Sequence, residues 1–554
     1  MTSFGIDLGT TNSVIARLVD GVPRTIAVDG DPIVPSTVLY MPDGRVVVGR
    51  EARNLALLHP EHAISSVKRR IGQAERIPLG RRKLSPEQVS AEILQTLARA
   101  AEAETGEPVR DVVITVPAYF NDAQRRATLA AGELAGLHVL RLLNEPTAAS
   151  LVYDHVGAEA PDSSELMLVY DLGGGTFDVS VLEVFGDVRE VRATTGDTQL
   201  GGDDFDETLV ELFLAELREL GVDEVDAAGI ARLSRAAETA KIGLSSALEV
   251  EVREEFIASV DGEPVHLRRT VTRREFEAAI TSMLTATVDL ARRAIDDAAL
   301  RPEERIARIC LVGGSTRIPL IRSLLADAFD ADVHEEIDVD LAVGLGAAIQ
   351  AAMLTGQPCG RVLVDVAAHT LGIRVVSEAD ELSLDRNPDS FAPVLRRNTA
   401  LPADRTEEFY TMVNDQEFVR VEIFQGEARR CSQNVPVGEF DFELDPTPAG
   451  TPVQFRIAYD LDGVVRVTAA LAGGREKTIT LELPHASAGH TPPAAAEPQS
   501  AVLRRANKLL ASVEGPVHGR LTQLIEAWHA SGAARRSEIE DELLDLFLDI
   551  EAED

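Results

Sequence analysis

The sequence predicts a multidomain fold in which an α/β region is followed by an all-β region and a short helical tail. Residues 1–358 alternate strand-like runs such as Val112–Val116 with helical patterns such as Asp122–Leu134, which is typical of α/β sheets. Residues 367–485 contain short apolar runs separated by turn signals such as Asp462-Gly463, which indicates an antiparallel β domain.

Length and composition exclude several classes of protein. A chain of 554 residues allows about three to four domains. The net charge of −37 argues against a nucleic-acid or anionic-membrane binder, whose surface is basic. None of the five lysines follows a glycine, so there is no P-loop. Three distant cysteines and the lack of a signal-like N-terminus or a long apolar run predict a cytoplasmic protein without a disulfide framework.

The C-terminal part of the chain divides into a linker, a tether and a tail. Residues 359–366 form an apolar linker, which is either the first strand of the β domain or a segment that docks on a neighbouring domain. Residues 486–499 are rich in Pro, Ala and Ser and resemble a flexible tether. Residues 500–554 contain three short amphipathic helical patterns, of which the third opens at Ser537 with a capping-box sequence.

Two similar loops are the strongest functional signal. Gly5–Asn12 and Asp171–Asp178 each place an aspartate at the end of a strand and follow it with Gly and Thr. Glycine lets backbone N–H groups approach phosphate oxygens, threonine adds hydroxyl donors, and the aspartate can hold Mg²⁺ through its water ligands. Two copies predict two related lobes that enclose one nucleotide.

A third glycine-rich loop, Val312–Arg317, strengthens this interpretation, whereas two other motifs have simpler explanations. Gly344–Ala348 imitates a dinucleotide-binding fingerprint but lacks its third glycine, so close helix packing is expected. Asp460–Gly463 imitates the start of a calcium loop, yet the required glutamate is missing and a hairpin turn is expected.

The three loops together resemble those of the actin, sugar-kinase and heat-shock ATPase superfamily. The segments Val116–Arg125, Asn144–Ala149 and Gly196–Asp206 narrow the resemblance to the DnaK-type, 70-kDa heat-shock chaperone family. The likeness runs from about residue 3 to 485. It implies an actin-like two-lobed ATPase domain over residues 1–358 and a β-sandwich that binds peptides over residues 367–485.

The resemblance also implies ATP hydrolysis by an in-line water, with ATP or ADP and Mg²⁺ as cofactors and K⁺ left open. The residues that match the family's catalytic positions are Lys68, Glu145, Asp171 and Thr176. Those that match its metal-proximal acids are Asp7, Asp171 and Asp178. Those that match its nucleotide contacts are Gly9, Thr10, Thr11, Asn12, Gly173, Gly174, Gly175, Gly201, Gly202, Glu238, Lys241, Ser245, Gly313, Gly314, Ser315, Arg317 and Asp340.

The distribution of lysines supports two of these assignments. Only five of the 54 basic residues are lysines, so lysine at both Lys68 and Lys241 is improbable by chance. A compact ammonium at a tight phosphate or ribose site is not replaceable by a guanidinium. The sequence departs from the family at Ile242, where many members have a basic residue that stacks on adenine, and around Asp340, where the usual Asn-Pro-Asp-Glu is absent.

The β domain and the linker carry the remaining implied sites. The residues that match the family's peptide cleft are Ile373, Val376, Phe409, Met412, Val419 and Val421. Those that match its allosteric positions are Pro117, Arg125, Arg141, Asn144 and Asp365. The implied partners are unfolded client polypeptides, a J-domain co-chaperone and a nucleotide exchange factor, with no nucleic acid and no membrane.

The tail is shorter than a complete lid of this family, which predicts a short-lid bacterial member with fast peptide exchange. Three alternatives stay open. A sugar or acetate kinase, or an actin-like filament protein, would leave residues 367–485 unexplained. A poorly coupled ATP-binding scaffold would fit a linker with fewer leucines than usual at Arg361–Val364.

Overall fold

The computed structural model describes residues 2–153, 164–334, 338–357, 362–376, 389–471, 476–480 and 516–530, together with the single residues 535, 539, 542, 543 and 546. Within these ranges the chain is mixed α/β up to residue 357 and almost entirely β from residue 362 to 480. The predicted fold class of α/β followed by all-β is therefore confirmed at this level.

The first lobe is built on a sheet whose strands run in the order β11-β10-β1-β2-β3, with β4 paired to β2. Its elements are β1 (Phe4–Asp7), β2 (Asn12–Val19), β3 (Val22–Ile26), β4 (Val34–Pro35), β5 (Val38–Tyr40), β6 (Val46–Val48), α1 (Arg50–Leu55), β7 (Ala63–Ile64), β8 (Ile77–Leu79), β9 (Arg82–Leu84), α2 (Pro86–Thr105), β10 (Asp111–Val116), α3 (Asp122–Leu134), β11 (His138–Asn144) and α4 (Glu145–Tyr153).

The second lobe is built on a sheet whose strands run in the order β18-β17-β12-β13-β14-β19. Its elements are β12 (Glu165–Leu172), β13 (Phe177–Phe185), β14 (Val188–Asp197), α5 (Gly202–Glu219), α6 (Ala227–Ser246), β15 (Glu249–Val260), β16 (Glu263–Thr272), α7 (Arg273–Asp297), β17 (Ile306–Val312), α8 (Pro319–Ala328), β18 (Asp332–His334), α9 (Ala342–Leu354) and β19 (Val362–Val364).

The two sheets repeat one arrangement. In each, a central strand pairs antiparallel with the next strand in sequence and parallel with a later one: β1 with β2 and β10, and β12 with β13 and β17. The two predicted Gly/Thr loops are the turns that join β1 to β2 and β12 to β13. Because the two turns occupy equivalent positions in their sheets, the turn of the first lobe and the turn of the second lobe can face each other across one site.

Helices α4 and α9 pack between the two sheets, and glycine makes this packing possible. A Cβ atom added at Gly346 would lie 1.8 Å from the carbonyl oxygen of Ala148 on α4. A Cβ atom added at Gly5 on β1 would lie 2.0 Å from the amide nitrogen of Ala348 on α9. Val113 of the first sheet and Val169 of the second belong to the same apolar cluster. The expectation that Gly344–Ala348 serves helix packing is thus confirmed.

Local sequence explains where the neighbouring elements begin. Helix α3 begins at Asp122 because Asn121 and Gln124 form a capping box. Helix α8 begins at Pro319, slightly later than the sequence pattern from Arg317 suggested, because Gly314–Arg317 form a 3₁₀ turn first. Cys310 is buried in β17, as the apolar run around it predicted.

The β domain consists of two four-stranded antiparallel sheets, with the orders β21-β20-β23-β24 and β22-β25-β26-β27. Its strands are β20 (Leu371–Val375), β21 (Ser390–Leu395), β22 (Ala403–Tyr410), β23 (Gln416–Gln425), β24 (Val435–Thr447), β25 (Pro452–Tyr459), β26 (Val465–Leu471) and β27 (Glu476–Thr480). One apolar cluster between the sheets includes Leu371, Ile423, Phe455 and Val467. The predicted hairpin turn at Asp462-Gly463 joins β25 to β26, and Gly463 has a φ of +70°.

Residues Val362–Val364 of the linker are not the first strand of the β domain. They form β19, which pairs in parallel with β14 at the edge of the second lobe's sheet, with Val188 opposite Val362. The amide of Val362 also donates to the carbonyl of Asp187, at 2.9 Å. Of the two interpretations of this segment, docking on a neighbouring domain is the one that the structure shows.

The described part of the tail contains helix α10 (Pro516–Ala530), which matches the second of the three predicted patterns. Its Leu521, Leu524 and Ile525 are buried, and Arg520 donates to Glu542 at 3.0 Å. The first predicted tail helix and most of the third lie outside the described residues, and so does the tether. The domain boundaries stay predictions. No described helix is long and apolar enough to cross a membrane.

The packing of α9 yields a stability prediction. Gly346→Ala should lower the free energy of unfolding of the two-lobed region by roughly 1–3 kcal/mol, because the added methyl group overlaps the backbone of α4. The measurement is the thermal unfolding midpoint of the full chain, followed by circular dichroism. Gly519→Ala in α10 is the matched control, since a Cβ atom there meets nothing within 4 Å. Equal midpoints for both variants would contradict the proposed close packing.

Candidate functional site

The turns of the two lobes face each other at close range. A Cβ atom added at Gly174 would lie 1.7 Å from the hydroxyl oxygen of Thr11, and one added at Gly175 would lie 2.5 Å from the methyl carbon of Thr10. A Cβ atom at Gly201 would meet the backbone of Gly174 at 2.6 Å. Glycine is therefore required where the two loops approach each other. The loops that the sequence analysis identified do meet.

A small cavity of about 80 Å³, which we call the inner cavity, lies between these turns. The predicted residues that line it are Asp7, Gly9, Thr10, Thr11, Asn12, Lys68, Glu145, Asp171, Gly173, Gly174, Thr176, Gly313, Gly314 and Asp340. Val312, Val339 and Val343 complete the wall. Hydroxyls, glycine backbones and charged groups thus converge on a space suited to a phosphate chain.

A buried ion pair crosses the inner cavity. Lys68 lies in the short 3₁₀ turn Val67–Arg70 of the first lobe, and its Nζ contacts Glu145 Oε1. Glu145 is the first residue of α4, and both side chains are more than nine-tenths buried. The negative charge of Glu145 at the N-terminus of α4 is favourable for the helix dipole. The pair therefore holds two charged groups in fixed positions inside a poorly solvated space.

Three aspartates accompany this pair, and each has a raised pKa. Burial, followed by the nearby Glu145 carboxylate, raises the pKa of Asp7 and of Asp178 to about 7. The same causes, with Asp178 and Asp7 as further negative neighbours, raise the pKa of Asp171 well above its ordinary value. Thr115 donates to Asp7 at 2.9 Å, and the Tyr119 amide donates to Asp178 at 2.9 Å.

This arrangement fits a divalent cation that is held through water. The Oδ2 atom of Asp171 is buried and has no hydrogen-bond partner among the described residues. Among the described residues, no group of three or more His, Cys, Asp or Glu side chains converges closely enough to ligate a metal directly. Mg²⁺ keeps several of its waters when it binds, so carboxylates at this spacing suit it.

A larger cavity of about 260 Å³, the outer cavity, adjoins the inner one. One wall is helix α6, on which Glu238, Lys241 and Ser245 lie on a single face. The opposite wall contains Gly314, Ser315, Arg317 and Asp340, and three isoleucines, Ile33, Ile242 and Ile318, are the apolar part of the lining. This combination of polar and aliphatic groups suits a nucleoside.

The charged groups around the outer cavity are held by specific partners. Lys241 Nζ donates to the carbonyl of Gly202 at 2.8 Å and to Asp206 at 2.7 Å. Arg317 donates to Asp340 at 2.8 Å, and both residues line the outer cavity, although the sequence around Asp340 departs from the family pattern. Ser315 Oγ donates to the carbonyl of Gly173 at 2.8 Å, which ties the third glycine loop to the second.

Sequence reasoning missed several residues at this site. Arg53 of α1 forms an ion pair with Glu238 of α6 and so bridges the two lobes beside the outer cavity. Asp203 accepts hydrogen bonds from Ser66 and Thr11 of the other lobe. These residues lie on ordinary amphipathic helices, and only the tertiary arrangement brings them to the site. Asp203 has one sequence signal, its position directly after Gly201-Gly202, and Arg53 has none.

Four of the six predicted peptide-cleft residues come together in the β domain. Ile373 and Val421 are buried in its apolar cluster, and Phe409 and Val419 pack against that cluster. The Phe409 ring contacts Phe455 edge to face, with the ring centroids 5.6 Å apart. The other two predicted residues, Val376 and Met412, are 40% and 54% exposed. They lie outside the apolar cluster.

Three of the five predicted allosteric residues, Arg125, Asn144 and Asp365, form one buried network at the junction of the domains. Arg125 Nη2 donates to Asn144 Oδ1 at 2.8 Å, and Asn144 Nδ2 donates to Asp365 Oδ2 at 2.8 Å. Pro117 and Arg141 are also buried beside this network. Since Asp365 directly follows β19, the network fixes the end of the linker against the first lobe.

Further contacts join the β domain to the first two lobes. The Leu142 amide donates to Asp462 Oδ1 at 2.9 Å, and Arg125 Nη1 donates to the carbonyl of the same aspartate at 3.2 Å. Asp122 accepts from the Val465 amide at 2.8 Å. Arg397 and Asp297 form an ion pair at 2.7 Å. The turn at Asp462 was predicted from local sequence, but its role as a docking element was not.

Comparison with known proteins identifies the family. The Hsp70 protein family model matches residues 3–79 and 74–492. The Chaperone protein DnaK of Thermotoga neapolitana is 40% identical over 490 residues, which cover 86% of this chain and 80% of the relative. The Chaperone protein dnaK1 of Nostoc sp. is 41% identical over 510 residues, which cover 86% of this chain and 72% of the relative.

These matches extend across both cavities, the linker and the β domain. A family model that covers most of the chain, together with relatives of this identity, shows the family and confirms the resemblance. The chain therefore belongs to the Hsp70 family, and it is an ATP-dependent molecular chaperone of the DnaK type with ATPase activity.

Proposed function

We propose that the inner cavity holds the triphosphate and Mg²⁺, and that its charged groups position the water that attacks the γ-phosphate. The observation that carries this proposal is the buried Lys68–Glu145 pair in a cavity that is walled by Asp7, Asp171 and Asp340 and by three glycine loops. Phosphoryl transfer asks the protein mainly for positioning and for neutralisation of charge. Both requirements are met by groups that cannot move without breaking buried contacts.

Within this proposal Glu145 accepts a hydrogen bond from the water and orients it in line with the leaving group. Lys68 offsets the negative charge of Glu145 and of the γ-phosphate oxygens. Thr10, Thr11 and Thr176 donate hydroxyl groups to phosphate oxygens, and the backbone N–H groups of the glycine loops do the same.

Asp7, Asp171 and Asp178 would hold Mg²⁺ through its water shell. When bound, Mg²⁺ would neutralise part of the phosphate charge and of these acids. The unpartnered Oδ2 of Asp171 supports this role, because it faces a cavity that offers it no protein donor among the described residues. Whether K⁺ also binds stays a prediction.

The outer cavity would bind the nucleoside. Glu238, Lys241 and Ser245 on α6 would contact the ribose and base from one side, while Gly314, Ser315 and Arg317 would contact them from the other. The face that Ile242 contributes is aliphatic, so base stacking there would be apolar. Because the wall of α6 belongs to one lobe and the glycine loops to both, nucleotide binding would hold the lobes closed.

The chain would combine an actin-like, two-lobed ATPase domain with a β-sandwich. The β-sandwich would bind extended apolar peptides of unfolded clients. Ile373, Phe409, Val419 and Val421 would form an apolar pocket for one side chain, with Val376 and Met412 as adaptable groups at its rim. A J-domain co-chaperone and a nucleotide exchange factor would complete the cycle. The absence of nucleic-acid and membrane binding stays a prediction.

We further propose that the docked arrangement is the ATP-bound state of the cycle, in which the peptide site is open. In this family ATP draws the linker into the ATPase domain, and β19 lies along β14 here. The pairing of β19 supports a coupled chaperone over a poorly coupled scaffold, despite the few leucines in the linker. The kinase alternative leaves the contacts between the β domain and the lobes without a purpose.

The role of Lys68 predicts a selective loss of chemistry. Lys68→Arg should reduce single-turnover ATP hydrolysis by about 100-fold, because a guanidinium does not fit where the ammonium meets Glu145. Nucleotide affinity should change far less, since the outer cavity is untouched. The measurement is rapid-quench hydrolysis of bound ATP. Lys83→Arg is the matched control because Lys83 is exposed on β9. Equal rates for both variants would contradict the role of Lys68.

The role of Asp365 predicts a loss of coupling. In the wild-type chain ATP should accelerate the release of a bound leucine-rich peptide several-fold relative to ADP. Asp365→Ala removes the carboxylate that accepts hydrogen bonds from Asn144 and Thr147. Loss of this acceptor should destabilise the docked state by about 1.5–3 kcal/mol, which lowers the docking equilibrium constant at least about tenfold.

We therefore expect the two release rates of Asp365→Ala to converge, as measured by fluorescence anisotropy of the labelled peptide. Asp223→Ala, on an exposed loop, should behave like the wild type. If Asp365→Ala retains full ATP-driven release, the linker network does not transmit the signal.

A further inference from the structure

A histidine lies at the junction of the ATPase and β domains and belongs to none of the roles described above. His369 is at the start of the β domain, between the linker and β20, and is partly buried. Its ring stacks on Tyr119 of the ATPase domain, with the centroids 4.2 Å apart and the planes tilted by 53°. The two rings border an interdomain cavity of about 300 Å³ that Gln425 and Glu427 also line.

His369 also makes a directional contact with the same residue. Its Nε2 lies 2.9 Å from the Tyr119 carbonyl oxygen. A carbonyl oxygen only accepts, so Nε2 carries the hydrogen and donates it. In the neutral ring the lone pair is then on Nδ1. The contact fixes the tautomer and orientation of His369, and it also constrains the peptide unit that follows Tyr119.

Tyr119 carries this contact to the active site through its other peptide group. The Tyr119 amide donates to Asp178 Oδ1 at 2.9 Å, and Asp178 is one of the three aspartates close to the Lys68–Glu145 pair. Tyr119 lies between Pro117 and Arg125, in the loop that precedes α3. A displacement of this short loop would therefore move the donor that holds Asp178. His369 and Asp178 are joined through the two peptide groups of one residue.

We propose that His369 is a positioning residue that sets the orientation of Asp178 when the β domain is docked, and that docking requires its neutral imidazole. This inference rests on the proposed coupling between the domains. It adds a proton-sensitive contact to that coupling, and it assigns His369 a role in hydrolysis that operates through Tyr119 and not through contact with the nucleotide.

The charges around His369 favour the neutral ring in the docked arrangement. Burial is the main cause that lowers the pKa of His369, and Arg125 and Arg397 lower it further. The Tyr119 carbonyl and Glu427 act in the opposite direction but do not offset the burial. The remaining group that faces this residue is Tyr459, whose hydroxyl donates to the His369 carbonyl at 3.4 Å.

The sign of the pH effect follows from this shift. The pKa of His369 is lower in the docked than in the undocked state, where an exposed histidine titrates near 6.5. The undocked state therefore binds more protons below that pH, and docking weakens as the pH falls through 6.5. Between pH 7.5 and 5.5, one such group changes the docking equilibrium by up to about tenfold.

Two substitutions separate this role from simple packing. His369→Leu fills a similar volume but removes the donor to Tyr119. His369→Gln keeps an N–H donor and does not titrate. A packing residue would tolerate leucine at least as well as glutamine, whereas a positioning donor requires glutamine.

The test uses the full chain with Mg²⁺ and a leucine-rich peptide at pH 7.5 and 5.5. The readout is the stimulation ratio, which is the single-turnover hydrolysis rate with saturating peptide divided by the rate without it. We expect the wild-type ratio to fall several-fold at pH 5.5. We expect His369→Gln to hold its ratio at both values, and His369→Leu to have a low ratio at both with an unchanged dissociation constant for ATP.

The remaining outcomes decide against the inference. Parallel pH profiles for the wild type and His369→Gln would show that another group titrates and would overturn it. A normal ratio in His369→Leu at pH 7.5 would show that the donor is not needed and would also overturn it. If the wild type shows no stimulation at pH 7.5, the proposed coupling itself fails and this inference fails with it. Only the last result concerns the wild type at neutral pH, so the two failures are distinguishable.

Discussion

The structure depends on one junction, at which β11 ends with Asn144 and α4 begins with Glu145. These neighbours in sequence face different sites. Asn144 takes part in the network with Arg125 and Asp365, while Glu145 pairs with Lys68 in the inner cavity. Because both side chains are buried and hydrogen-bonded, neither can shift alone. The junction therefore connects the linker to the Lys68–Glu145 pair within two residues, and the contacts of Tyr119 with His369 and Asp178 form a second, longer path.

Electrostatics gives a reason why this junction would respond to a bound nucleotide. Asp7, Asp171 and Glu145 line one small cavity and Asp178 lies close to them, and the pKa values of the three aspartates are raised by burial and by the Glu145 carboxylate. Closely spaced carboxylates of this kind favour either protonation or a bound cation. A nucleotide with Mg²⁺ would supply the cation and contact both lobes. The free energy that closes the lobes would then come from the ligand, and the same closure would set the surface on which the linker docks.

Much of this site follows from local sequence, and the rest does not. The glycine loops are predictable because the close approach of two backbones requires glycine at positions such as Gly174. The same requirement makes Gly346 of helix α9 predictable. The turn at Asp462-Gly463 is equally local, but its contact with Leu142 depends on how two domains meet, and no periodicity encodes that. The Arg53–Glu238 pair and His369 are single residues without a repeating pattern. Lys68 and Glu145 could be assigned from family resemblance but not from spacing alone.

The central claim is that the docked linker is the ATP-bound arrangement, and hydrogen exchange at β19 tests it most directly. The amides of Val362–Val364 would be pulse-labelled in the full chain within seconds of mixing with Mg²⁺ and ATP, and separately with Mg²⁺ and ADP. Exchange at the Val362 amide should be at least about tenfold slower with ATP, because this amide then donates to the carbonyl of Asp187 beside β14. Equal exchange in the two nucleotides would contradict the claim that nucleotide controls docking.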